Sequence, residues 1–246
     1  MTGTFLNIAT VLIGGLVGLL FGNRLPERVQ QTVVSGLGLF VACMGVRMFT
    51  DTNNPILVLG SLIVGGVLGE WWKIEARLEG LGGWLERRFT APAGERAVPA
   101  GGRERFVRGF MTASLVFCVG PMTILGSIQD GLTGNYELLA IKSTLDGFAA
   151  AAFAASMGLG VLFSALVILV FQGGLSLLAA QVVSIFPPDL LENAMIPEMS
   201  AVGGVLLAGL AVSSLLELKK IRVGNFLPAL AAAPLLVWVL EKAGLG

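Results

Sequence analysis

Apolar residues run along this chain in blocks, each about as long as a helix needs to cross a bilayer core, with short polar stretches between them. Eight blocks can be drawn. The first covers about 4–22 and stops at Asn23-Arg24-Leu25-Pro26; the next two run over about 33–49 and 56–72. The fourth and fifth run over about 106–128 and 138–156. The sixth, about 159–183, is closed by Pro187 and Pro188, and the last two cover about 201–216 and 226–240. Gly120-Pro121 falls in the middle of the fourth block. A proline there removes a helical hydrogen bond and crowds the Phe117 carbonyl, so this span is expected to break.

Residues 73–105 form the sizeable polar segment. Ile74, Leu78, Leu81 and Leu85 share one helical face, as in an interfacial amphipathic helix, although Gly80, Gly82 and Gly83 weaken that pattern. Residues 91–102, rich in proline, glycine and alanine, have the composition of a linker. The expected architecture is an all-α polytopic membrane protein of about eight transmembrane helices in a single domain, 1–246. Helices one to three lie in 1–72, the amphipathic segment in 73–105, and helices four to eight in 106–246.

Composition agrees with that pattern. The chain is 55% hydrophobic and 13% charged with a mean hydropathy of +0.84, whereas soluble domains carry about 25% charged residues. Zero net charge, with no basic tract interleaved with aromatics, removes the case for nucleic acid. The chain has no histidine, and Cys43 and Cys118 both sit in apolar blocks, so no zinc, haem or other cofactor is expected. No nucleophile elbow or P-loop is present, which points away from an enzyme.

The charges also orient the spans. With the N-terminus outside, 13 of the 16 Lys and Arg residues fall in inner loops, leaving Arg47, Lys142 and Lys242 outward. Basic loops stay cytoplasmic, so eight spans with both ends outside fit. Glycines four apart, such as Gly14, Gly18 and Gly22, or Gly65 and Gly69, offer close-packing faces, within the chain or in a homo-oligomer. Val-Gly-Gly-Val-Leu occurs at 64–68 and again at 202–206, and Gly14 aligns with Gly147 in spans one and five. A parallel four-plus-four repeat would give such matches, and so would chance in Gly/Val/Leu-rich helices.

One polar run lies inside apolar sequence: Lys142-Ser143-Thr144-Leu145-Asp146-Gly147. At about 1.5 Å per residue, Lys142 sits one turn below the outer end of span five, and Asp146 lies deeper, where a carboxylate cannot reach water by snorkelling. Lys142 and Asp146 are i,i+4 neighbours and can pair. Two readings follow. One is a structural ion pair; the other is a carboxylate that binds a cation or proton, with Lys142 as resting counter-ion and Ser143 and Thr144 supplying oxygens. Around it, the Pro121 break, Thr123 and Gln129 can face Asp146 across a cavity, and Asn7 is either a further contributor or an interhelical hydrogen bond. Gln172 is most simply an interhelical hydrogen bond, Arg47 with Asp51 an outer-surface pair, and Glu70 and Glu217 solvated inner helix ends.

Several of these stretches resemble the bacterial multi-pass family catalogued as "domain of unknown function 554". The resemblance is carried by Gly3-Thr-Phe-Leu-Asn7, Gly14-Gly15-Leu-Val-Gly18 and Gly65-Gly66-Val-Leu-Gly69-Glu70, with Lys142-Ser-Thr-Leu-Asp-Gly147. It is also carried by Phe117-Cys-Val-Gly-Pro-Met-Thr-Ile-Leu-Gly-Ser-Ile-Gln-Asp-Gly131, and it covers essentially the whole chain. Members are often labelled transport proteins of the cytoplasmic membrane, which implies that location and a small solute or ion as partner. The expected function is therefore a transporter, ion-coupled or passive. The alternative is a membrane scaffold or regulator acting through the basic segment 73–108.

Overall fold

A computed structural model describes residues 1–22, 26–90 and 102–244. The regular secondary structure among the described residues is all helical, with no strand. The long helices are α1 (Thr2–Gly22), α2 (Glu27–Phe49), α3 (Pro55–Trp72), α4 (Ile74–Thr90), α5 (Gly102–Cys118), α6 (Pro121–Thr133) and α7 (Glu137–Met157). After a 3₁₀ turn come α8 (Ser164–Leu177) and α9 (Ala179–Ile185). Then follow α10 (Pro188–Leu215), which contains two π-helical turns, and α11 (Pro228–Lys242). Seven helical stretches among the described residues are long and apolar enough to cross a membrane. The pair α5–α6, bent by 63°, makes an eighth if counted as one span.

Glycine faces set the packing. A β-carbon on Gly14 or Gly18 of α1 would overlap the carbonyl of Gly147 or Ala151 on α7, so these helices run parallel with their backbones touching. Gly45 of α2 meets Gly204 of α10 in the same way, and Gly65 and Gly69 of α3 meet Ala229, in the first turn of α11, and Asn225, in the 3₁₀ turn before it. The small-residue faces of α1 and α3 are thus occupied within the chain, and a homo-oligomer has to use other surfaces. Gly14 touches Gly147 in the register in which the two stretches align in sequence. Large apolar side chains such as Ile13, Leu20, Phe40, Ile56 and Phe148 lie exposed on the outside, where lipid covers them.

Two faces close the bundle. One carries Arg105, Arg108, Glu217, Glu70, Arg222 and α4, and is the basic face. The other carries Asp130 with Met1, the exposed Arg47–Asp51 pair expected at an outer surface, and Glu198 with the 52–54 turn.

Two sequence expectations need correction. The seventh span starts at Pro188, well before residue 201, because Pro188 takes the first helical turn, where a missing N–H costs nothing, and a π turn at Leu191–Met195 carries the chain on past Pro197. The glycines of α4 do not interrupt it. Gly82 and Gly83 lie buried against Phe110, Val107 and Arg103 of α5, where a side chain would hold the helices apart, while Leu81 points outward. Glu70 is an exposed helix end, as expected, and takes bonds from Arg222 and Asn225. Of the expected 91–102 linker, 91–101 lies outside the described residues, as do Asn23, Arg24 and Leu25, and Gly102 opens α5.

Candidate functional site

The fourth span breaks as its proline requires. α5 ends at Cys118, Gly120 is extended, and Pro121 opens α6 at its first helical position. The Thr123 hydroxyl donates to the Phe117 carbonyl at 3.3 Å, which gives the interrupted backbone a partner. Both Thr123 and Ser127 are fully buried on the inward face of α6.

Beside this break stands α7, whose inward face carries Leu139, Lys142, Ser143, Asp146 and Ala150. Lys142 and Asp146 are 6% and 8% exposed, and their ammonium and carboxylate form an ion pair through Oδ2 of Asp146. The same oxygen accepts a 3.0 Å hydrogen bond from Nδ2 of Asn7, reaching across from α1. Asn7 Nδ2 also donates to Oε1 of Gln172 on α8 at 3.0 Å, and Gln172 Nε2 donates to the Thr4 hydroxyl at 3.4 Å. A chain of polar groups thus runs Lys142, Asp146, Asn7, Gln172, Thr4 across three helices. The Cys118 thiol at the end of α5 lies within electrostatic range of Lys142 and Asp146, which places the break next to the pair.

Two acceptors in this chain stay open. Asn7 Oδ1 is buried with no hydrogen-bond partner. Asp146 Oδ1 takes no hydrogen bond among the described residues, because both donors converge on Oδ2. A buried acceptor without a partner, such as Asn7 Oδ1, costs about 1–3 kcal/mol.

The other residues singled out in the sequence divide. Asn7 and Gln172 are interhelical hydrogen-bonding groups, and Asn7 also bonds Asp146 directly. Ser143 is buried but back-bonds to the Leu139 carbonyl. Thr144 is exposed and bonds the Ala140 carbonyl, so it supplies no oxygen to Asp146. At 100° per residue it sits on the far side of α7 from Lys142 and Asp146. Gln129 is half-buried, and its neighbour Asp130 is the inward group. The Asp130 side chain is fully buried, 3.1 Å from the Met1 ammonium through Oδ1, and accepts the Gly3 N–H through Oδ2 at 3.1 Å. Sequence reasoning missed Thr4 and Asp130 as members of this layer. Thr4 is three residues before Asn7 on one face of α1, which was a usable signal.

The basic face is open. A cavity of about 710 Å³ lies between α4, α5 and the end of α10, lined by Glu75, Glu104, Arg108 and Glu217, and reaching Met111 and Leu115 on α5. Leu115 is one turn before Cys118. A second cavity, about 440 Å³, is lined by Gln30, Arg105, Ser156 and, again, Arg108 and Glu217. Arg108 and Glu217 form an ion pair between the two. Glu217 follows the second π turn with φ at +52°, in the left-handed region that a non-glycine residue rarely adopts.

The family profile described as "Protein of unknown function (DUF554)" matches residues 2–238. The chain belongs to the DUF554 family. A DUF554 chain of this kind is also similar to the "Uncharacterized membrane protein YdfK" of Bacillus subtilis, at 29% identity over all of this chain and 99% of that protein. It is 32% identical to the "Uncharacterized protein YqgA" of Escherichia coli over 94% of both chains. No solved structure matches it. This DUF554 protein is a membrane protein, as its helices and its Bacillus relative's name agree.

Proposed function

We propose that the protein transports a small solute or ion across the bacterial cytoplasmic membrane, with Asp146 as its charge-sensing group. One observation carries the reading: a carboxylate deep in the bundle is bonded through one oxygen only, beside a broken span. Ionisable groups at membrane depth mark substrate and ion pathways, and discontinuous helices build transporter sites. The 710 Å³ cavity supports it by opening the basic face toward α5 and the break. In this reading the basic face is cytoplasmic, both chain ends lie outside, and transport is passive or ion-coupled without an enzymatic step.

The test is reconstitution in proteoliposomes. Fluxes of protons, sodium and potassium are followed after imposing a gradient of each, with pyranine inside for the proton arm. Wild-type protein should move at least one, and Asp146→Asn should lose it while still folding. A folded Asp146→Asn variant with unchanged flux refutes the assignment.

A further inference from the structure

The bonding around Asp146 narrows the ion. A hard divalent cation gathers about six oxygens, and no cluster of three acidic, histidine or cysteine side chains occurs among the described residues. The polar chain offers two acceptors: Asn7 Oδ1, which is buried without a partner, and Asp146 Oδ1, to which neither Lys142 nor Asn7 donates; Thr4, Asn7 and Gln172 beside them have no exposed surface. Both hydrogens of Asn7 Nδ2 are already donated, to Asp146 Oδ2 and Gln172 Oε1, so the amide has no donor left to place between its own oxygen and Asp146 Oδ1. A single added proton corrects that deficit.

We propose that Asp146 is a proton-binding site and that Asn7 is the partner of its protonated form. The proton adds to Asp146 Oδ1, forming one O–H bond. That hydroxyl donates to Asn7 Oδ1 while Asn7 Nδ2 keeps donating to Asp146 Oδ2. The result is the two-bond ring of a carboxylic acid facing an amide, with both open acceptors used. Lys142 loses its counter-ion at the same moment. Its stem, one turn nearer the start of α7, lets the ammonium move toward water. Release of the proton restores the ion pair, so loading and unloading move Lys142 out and back. Whether that movement drives a solute rests on the transport reading; the protonation itself does not.

The charged and titratable groups around Asp146 are few. Lys142 is on its own helix, and the Cys118 thiol comes from α5. α1 and α8 contribute the neutral Asn7 and Gln172. The α6 carboxylate, Asp130, is engaged by Met1 and Gly3, and on α2 Arg47 is engaged by Asp51. No second carboxylate therefore competes within the chain of hydrogen bonds.

Infrared difference spectroscopy of the full chain in lipid nanodiscs, titrated between about pH 4 and pH 9, reads this directly. Wild-type protein should show a protonated-carboxyl C=O band that is lost in Asp146→Asn. Asn7→Leu should move that band to higher wavenumber, because the acid O–H then lacks its acceptor; Asn7→Ser serves if the leucine variant fails to fold. Asp146→Asn should keep its melting temperature better than Asp146→Leu, since an amide N–H donates where the acid would. No band lost in Asp146→Asn overturns the proton site, and a band unmoved in both Asn7 variants overturns the partner. Neither result touches the transport reading, which fails instead if Asp146 titrates and the proteoliposomes move nothing.

Discussion

Glu198 and Asp146 are both carboxylates buried in the same helical bundle, and they are bonded in opposite ways. Glu198 is 1% exposed and uses both oxygens: Oε2 accepts from the Thr52 hydroxyl at 2.6 Å, and Oε1 accepts the backbone N–H groups of Asn53 and Asn54 at 2.8 Å each. All three donors are neutral and belong to one tight turn between α2 and α3. Asp146 has one neutral donor and one ammonium crowded on a single oxygen, with the other oxygen free. The first is an architectural carboxylate, whose bonding is complete and has no second state to move to. The second can accept a proton and exchange its partner. Completeness of bonding distinguishes them better than depth or burial does.

That contrast predicts different failures. Glu198→Ala leaves three donors around an empty site, at a cost of about 3 kcal/mol or more. At about 2–4 °C per kcal/mol for a chain of this size, the melting temperature should fall by about 10 °C in detergent or nanodiscs. Asp146→Asn should change it by only a few degrees. Equal losses at the two positions would remove the distinction and return Asp146 to the role of a structural tie.

The two sites were unequally legible in sequence. Lys142 and Asp146 stand out because charge inside apolar sequence is expensive, and the helical period alone puts them on one face. The same period excludes Thr144 from that face, and counting 100° per residue from Lys142 was enough to see it. Glu198 was passed over because Pro187 and Pro188 read as a break and the next span was started at 201, although a proline in the first turn leaves a helix intact and the π turn carries it past Pro197. Gly82 and Gly83 were taken as helix weakeners because their reason for being small is a surface of α5, remote in sequence. Asp130 rather than Gln129 faces inward because its donors come from the start of α1, which nothing local to α6 announces. Periodicity exposes what a helix does for itself; it is silent on what another helix requires of it.

A smaller effect on stability, but a clear one on access, is expected at the basic face. Arg108 and Glu217 are 29% and 65% exposed as side chains, so their pair should contribute about 0.5 kcal/mol or less. The pair stands between two cavities, just after a π turn and at a residue with φ of +52°, so its loss is expected to change access to the cavities more than stability. Arg108→Gln or Glu217→Gln should leave the melting temperature nearly unchanged and raise the labelling rate of buried Cys118 by a small maleimide several-fold. The exposed Cys43, replaced by serine, keeps the background low. Unchanged Cys118 labelling in both variants would make the pair a surface contact only.

Glu75 completes the series as a carboxylate of intermediate bonding and should give the smallest effect. It lies on α4 outside the spans, half-buried at the wall of the larger cavity, where Oε2 accepts the Gly224 N–H at 2.6 Å. Burial holds its acid constant above the ordinary carboxylate range, and the charge of Glu79 adds to that; the Gly224 bond, Lys220 and Arg222 oppose it. Between the ordinary value and the raised one, the folded protein keeps a proton that the unfolded chain has released. Stability from this group is therefore present below that window and declines as pH rises through it. Glu75→Gln retains an oxygen for Gly224 and has no charge to bury, so it should flatten the decline and match or exceed wild type at neutral pH. The gain should stay near about 0.5 kcal/mol, because solvent at the cavity mouth screens the charge. Melting curves of the two proteins at acidic and neutral pH decide it. A variant less stable than wild type at neutral pH would show that the Glu75 charge is needed by Lys220 and Arg222, which would move Glu75 to the saturated side of the comparison beside Glu198.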